Sequence, residues 1–174
     1  EIKSAAARRL ITAFIDSRAD DMMGVVGFTN AALYGVKITS NREGIHAAIK
    51  AATGPALNQT NIGAGITQAV TLFDSIESSG SRAIVLLSDG AGKLSPRVKY
   101  QISKQLAGKK LNLYWIVLRE PDDISIFNHN SYDDDHLPEA IALDRFFQSL
   151  KVKYKAFEAD NPTALESALR EIDA

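Results

Sequence analysis

The 174-residue chain contains no cysteine. Disulfides, thiolate metal sites and cysteine nucleophiles are therefore excluded, and the redox compartment is left open. It also lacks an excess of either charge. Lys plus Arg number 20 against 21 Asp plus Glu, a net charge of -1, which gives neither nucleic acid nor anionic lipid an electrostatic handle. No apolar run approaches the ~18 residues that a membrane span needs, and no signal peptide is recognisable. Glu1 opens directly in a helical pattern without a methionine. The chain is thus expected to be a trimmed piece, with any anchor or export signal in a part not included. Internal repeats, low-complexity tracts and linkers are absent as well. With 45% hydrophobic residues, residues 1–174 have enough apolar material for one core, and a single domain is expected.

What is present alternates between two periodicities. Ala7, Leu10, Ile11, Phe14 and Ile15 recur at helical spacing over 4–18 and predict a first helix, broken at Asp20-Asp21. Met22–Phe28 is a near-continuous apolar run, as expected of a strand buried on both faces. Ala32–Thr39 is its predicted partner across a turn at Thr29-Asn30. Ser40, with Glu43 three residues on, has the form of a capping box for a helix running to about Ala52. A polar loop over 58–65 precedes a helix with Ile66, Ala69, Val70, Phe73 and Ile76 on one face. Ala83–Leu87 is the clearest buried strand. A helix over 95–106 follows, with Pro96 at a favoured first position. Leu111–Leu118 is a further core strand, 119–137 a long polar loop, and 138–150 a helix. Val152–Glu158 is a strand, and Asn161 caps a last helix over 162–172. This order predicts an α/β fold: a doubly wound, mostly parallel sheet with helices on both faces and one antiparallel edge strand.

In such sheets ligands bind beyond the carboxyl ends of the strands. Two polar segments fit that rule: Ser88-Asp89-Gly90-Ala91-Gly92 after the 83–87 strand, and 58–65 before a helix. Asp89 offers a carboxylate and Thr60 a hydroxyl, the hard oxygens that a divalent cation prefers. Taken singly, Asp-Gly after a strand makes a turn and a threonine before a helix makes a cap. Their joint placement in one ordered pattern is what points to an ion site.

The pattern resembles the von Willebrand factor A (vWA) domain. Residues 18–28 (RADDMMGVVGF) resemble its signature of Arg, a spaced Asp, then a strand ending Gly-x-x-x-Phe. Residues 59–66 (QTNIGAGI) look like its threonine loop, and 84–90 (IVLLSDG) like its Ser/Thr-Asp-Gly strand end. The resemblance covers nearly the whole chain. It implies a metal-ion-dependent adhesion site (MIDAS), in which Thr60 and Asp89 match two elements. The ion would be Mg²⁺, with Mn²⁺ or Ca²⁺ as alternatives, and a partner protein's acidic residue would complete its coordination. The third family element, Asp-x-Ser-x-Ser after a first central strand, is not in the sequence. In the family that strand lies between those equivalent to Met22–Phe28 and Ala83–Leu87. Its loss would cost more than the ~5–15 kcal/mol stability of a typical domain. The expectation is that an upstream segment or a second chain supplies it, together with the missing ligands.

A narrower resemblance lies downstream. Residues 88–91, 113–119 (LYWIVLR), 138–147 (PEAIALDRFF) and 154–162 (YKAFEADNP) look like bacterial vWA proteins of methanol-oxidation clusters, the MxaC and MxaL type. Those proteins are membrane-anchored, associated with MoxR-type AAA+ ATPases, and implicated in calcium loading and maturation of methanol dehydrogenase. The resemblance implies a non-enzymatic assembly role on either side of a membrane.

Other features carry weaker signals. Asp133-Asp134-Asp135-His136 offers four potential ligands, but consecutive residues rarely converge on one ion, so a solvated acidic loop is expected. His46 and His129 are isolated and are expected at the surface. Tyr114 and Trp115 lie in a core strand, where packing is expected. Gly63-Ala64-Gly65 lacks the third glycine of a dinucleotide fingerprint. Asn58-Gln59-Thr60 is a formal glycosylation sequon expected to occur by chance. A hydrolase on a Rossmann-like sheet would want a phosphate loop or a pair of catalytic carboxylates, and neither is evident. A structural assembly domain with a non-functional metal site is the other alternative.

Overall fold

The computed structural model describes residues 4–18, 21, 23–28, 32–52, 62–74, 82–88, 93–107, 110–118, 125–127 and 138–173. Their order is α1 (Ser4–Ser17), β1 (Met23–Phe28), β2 (Ala32–Thr39), α2 (Arg42–Ala52), α3 (Ile62–Asp74), β3 (Arg82–Ser88), α4 (Pro96–Leu106), β4 (Leu111–Leu118), α5 (Glu139–Ser149), β5 (Lys153–Ala159) and α6 (Pro162–Asp173). The mixed α/β class and the expected strand sequence are both observed. The described strands form a parallel sheet in the order β3-β4-β5 and an antiparallel pair β1-β2. The residues group into two compact units, one built on 81–168 and the other on 3–80 together with 169–174.

In the first unit the middle strand β4 is buried along almost its whole length: Leu111, Leu113, Trp115, Ile116 and Val117. A strand flanked by two others and covered on both faces needs apolar side chains at odd and even positions alike, hence the continuous run LNLYWIVL. Ser88, Val117 and Glu158 align across the three strands at their carboxyl ends. Beside the sheet, Ile102 and Leu106 of α4 and Ile141, Leu143 and Phe147 of α5 are buried at helical spacing. Pro96 opens α4 with Ser95 as cap, whose Oγ accepts from the Val98 N–H at 3.2 Å. Asn161 caps α6 through the Ala164 N–H at 2.9 Å.

In the second unit Ile15, Ile45 and Ile49 form a cluster between α1 and α2, with Ile11, Phe14 and Met23 packed against it. Strand β1 pairs with β2 through a register that shifts between Met23, Val25 and Val26. Met23 and Val26 are half-buried rather than buried, since β1 has a paired neighbour on one side only among the described residues. A methyl group on Gly24 would lie 3.0–3.2 Å from Ile38 and 3.1 Å from Leu72, so a larger residue at this close crossing of β1, β2 and α3 would push its neighbours aside by a few tenths of an ångström.

Strand β5 lies one residue later than the expected Val152–Glu158, and two helix starts depart from expectation. The cap of α2 is Asn41, not Ser40: its Oδ1 accepts from the Gly44 N–H at 3.4 Å. Helix α3 starts at Ile62, inside the stretch expected to be loop to residue 65. Two glycines in the first turn each cost about 1 kcal/mol of helix propensity. Burial of Ile62 and Ile66, four residues apart on one face, outweighs that cost.

Candidate functional site

The carboxyl edge of the β3-β4-β5 sheet is where the fold places chemistry. Strand β3 ends at Ser88, which is 7% exposed. Its Oγ accepts a hydrogen bond from the indole Nε1–H of Trp115 at 2.9 Å. Trp115 is opposite Leu86 in the ladder, so Ser88, two residues on, projects from the same face as its diagonal neighbour. The indole is wholly buried and stands edge-on to Phe147, centroids 5.2 Å apart. The last residue before Asp89 is therefore tied to the centre of the core. Packing was the expected role of Trp115, and the hydrogen bond adds a second.

Toward the amino end of β5, level with Leu113, lies a buried polar cluster. Asp144, 1% exposed, accepts from the Tyr154 hydroxyl at 2.7 Å and from Gln148 Nε2 at 2.9 Å. The Tyr154 ring packs against Phe147 at 5.6 Å. Burial, together with the hydrogen bond and the negative charge of Asp144, drives the Tyr154 hydroxyl far above its ordinary pKa of 10.0. In the folded chain the hydroxyl stays protonated, whereas in the unfolded chain it ionises near its ordinary value. Its contribution to stability is therefore fully present below pH 10 and falls as the pH rises above it. Denaturant unfolding at pH 9–11.5 is expected to show the wild type losing up to about 1.4 kcal/mol per pH unit relative to Tyr154→Phe. Parallel pH profiles for the two proteins would contradict this.

On β5 the side chain of Glu158 reaches a turn in the β4–α5 connection. Its Oε1 accepts from Ser125 Oγ at 2.7 Å and from the Ile126 N–H at 2.6 Å. Ser125 Oγ in turn accepts from the Phe127 N–H at 3.1 Å.

At the α1–β1 junction, Arg18 pairs with Asp21. Arg42 donates to the carbonyls of Arg18 at 2.6 Å and Asp21 at 2.8 Å. The Arg-and-Asp signature thus has a structural use, joining α1, β1 and the start of α2. His46 is not isolated: its Nε2 lies 2.8 Å from Asp16 Oδ1, and both side chains are exposed.

Thr60 and Asp89 lie outside the described residues, as do Asn58, His129 and Asp133 to His136. Gly63 and Gly65 are buried in the first turn of α3. Among the described residues no cluster of three or more His, Asp or Glu is arranged to hold a metal. Sequence reasoning missed Glu158, Ser125, Asp144, Tyr154 and Arg42. Only Asp144–Gln148, four apart on a helix, had a local signal. The other partners are separated by 10 to 33 residues.

The profile of the von Willebrand factor type A domain matches residues 3–91, half of the chain. The chain belongs to the von Willebrand factor type A family. Solved structures agree on the fold. BatB from Bacteroides thetaiotaomicron is 19% identical with a TM-score of 0.61, over 98% of this chain and 88% of that one. An aerotolerance-related membrane protein from Bacteroides fragilis is 22% identical with a TM-score of 0.64, over 97% and 86%. The PilB minor pilin from Streptococcus sanguinis is 17% identical with a TM-score of 0.69, over 97% and 53%. No curated protein matches the sequence. No helix among the described residues of this vWA chain is long and apolar enough to cross a membrane.

The matched region includes both Thr60 and Asp89. Their oxygens suit a hard divalent cation in kind, but two donors fall short of the roughly six to eight that such ions take. The other positions would fall to water, to a partner's carboxylate or to further protein oxygens.

Proposed function

We propose that this vWA chain is a protein-binding module, not an enzyme, which engages its partner at the carboxyl edge of the β3-β4-β5 sheet. The observation that carries this is the tether of Ser88 to Trp115, which holds the strand end leading into Asp89. Thr60 and Asp89 would hold Mg²⁺, or alternatively Mn²⁺ or Ca²⁺. When bound, the cation would offer an open coordination position to an acidic residue of the partner. The finer assignment is an accessory protein of the MxaC and MxaL type, with a membrane-anchored parent. Its partners would be a MoxR-type ATPase and methanol dehydrogenase. The downstream motifs at 113–119, 138–147 and 154–162 support it.

A second reading has its own support. The two-donor set and the absence of Asp-x-Ser-x-Ser from the sequence favour a structural assembly domain with a non-functional metal site. Titration of the full-length protein with Mg²⁺, Mn²⁺ and Ca²⁺ separates the two, followed by calorimetry and by the fluorescence of its one tryptophan. The metal-dependent module should bind at least one ion, and Asp89→Ala or Thr60→Ala should weaken that binding about tenfold or more. No binding by the wild type, or equal binding by both variants, would leave the structural role.

A further inference from the structure

Among the described residues, two large hydrophobic side chains are strongly exposed: Tyr100 at 66% and Phe127 at 57%. Their settings differ. Tyr100 sits on helix α4 with the ammonium of Lys104, one turn on, 6.0 Å from its ring centroid, an ordinary amphipathic cover on a solvated face. Phe127 sits on a turn that is fastened from below. Ile126, beside it, is 1% exposed and anchors the turn in the core. The Glu158 carboxylate takes hydrogen bonds from Ser125 Oγ and the Ile126 N–H, and Ser125 Oγ takes one from the Phe127 N–H. A carboxylate, a hydroxyl, two backbone amides and a buried isoleucine thus hold in place a backbone whose outward side chain is a phenyl ring. Aromatic rings presented on a fixed backbone, with few rotamers left to freeze, are what interface anchors are made of.

The position supports the same conclusion. Glu158 is level with Val117, and Val117 with Ser88. The turn is therefore fastened at the carboxyl edge, two strands or about 10 Å from Ser88. Charge sets the character of what meets it. In the sequence, 120–137 contains Glu120, Asp122, Asp123, Asp133, Asp134 and Asp135 and no Lys or Arg, in a chain whose net charge is only -1. Such a segment repels nucleic acid and anionic lipid and attracts a cationic surface.

We infer that Phe127 is a docking anchor for a partner protein, inserting into an apolar pocket rimmed by Lys and Arg. The contact goes beyond the metal-mediated reading and needs no ion. An aromatic anchor that protrudes calls for a concave partner site, and the carboxylates that flank it in the sequence call for a basic rim.

The test places the photocrosslinking residue p-benzoylphenylalanine at position 127 of the full-length protein in its host cell, with position 100 as the exposed-aromatic control. One discrete protein adduct, specific to position 127, is expected. Its crosslinked peptide should map to an apolar pocket flanked by Lys or Arg. The purified partner should then bind Phe127→Ala at least tenfold more weakly than wild type and Phe127→Leu only a few-fold more weakly. The tenfold effect should persist in EDTA, which separates it from failure of the ion site. Adducts equal at the two positions, no adduct, an adduct to lipid or nucleic acid, one on an acidic surface, or a Phe127→Ala affinity within twofold of wild type would each overturn the inference.

Discussion

Trp115→Ala is expected to destabilise the folded chain by about 3–5 kcal/mol, the range for truncating a large aromatic in a core that cannot collapse around the void. Trp115 is wholly buried at the centre of the middle strand, edge-on to Phe147. The strands on both sides are held by continuous parallel ladders, which limits relaxation into the cavity. A smaller part of the loss is polar. Without the indole N–H, the Ser88 hydroxyl loses its hydrogen bond at 7% exposure. Trp115→Phe isolates that part: it keeps most of the apolar volume, removes the donor, and should cost about 1–2 kcal/mol. Urea unfolding followed by circular dichroism measures both. A Trp115→Ala loss below 1 kcal/mol would mean that the core around β4 is not packed as described.

Asp144→Ala is expected to cost about 3 kcal/mol, twice the ~1.5 kcal/mol lower value for a hydrogen bond to a charged group. The carboxylate is 1% exposed and takes hydrogen bonds from Tyr154 on β5 and Gln148 on α5. Truncation strips the Tyr154 hydroxyl of its acceptor in a setting from which water is largely excluded, and unpaired buried polar groups are costly. Asp144→Asn keeps the size and one acceptor but turns its amide N–H₂ toward one of the two donors, so an intermediate loss is expected. The double variant Asp144→Ala/Tyr154→Phe should be less destabilised than the sum of the singles, because removing both partners leaves no orphan. Additivity in that cycle, read by chemical denaturation, would show that the pair carries no coupling.

Both variants act on one buried layer, in which Phe147 contacts the rings of both Trp115 and Tyr154, and Tyr154 holds Asp144. Ser88 is joined to that layer directly through Trp115. The turn bearing Phe127 is fastened instead through Glu158, level with Val117.

Much of the fold was legible residue by residue. The bounds expected for Leu111–Leu118 and Ala32–Thr39 are those observed, because a strand covered on both faces, or one preceded in the sequence by turn-forming residues, leaves a contiguous signature. Ser95-Pro96 and Asn161 marked their helices correctly, since capping is local chemistry within three or four residues. Where two local signals competed, the sequence was a poorer guide. Asn41 took the cap from Ser40, and buried Ile62 drew glycines into α3 that read as loop. Of the candidate site, Thr60 and Asp89 were visible as motif positions, while the side chains that hold the carboxyl edge of the β3-β4-β5 sheet were not.

By itself the sequence determined the order of strands and helices, the vWA family and the acidic character of 120–137. The order and the acidity follow from periodicity and composition, which are properties of neighbouring residues; the family follows from the resemblance of 18–28, 59–66 and 84–90 to its motifs. Only the tertiary structure decided that Trp115 meets Ser88, that Tyr154 meets Asp144, and that Glu158 holds the turn under Phe127. The first pairing depends on the register of parallel strands, which sets residues 27 apart in the chain side by side; the other two depend on how α5 and the 125–127 turn meet β5. Register is selected by the whole core at once, because a slip of one residue would turn every buried side chain of a strand to the opposite face.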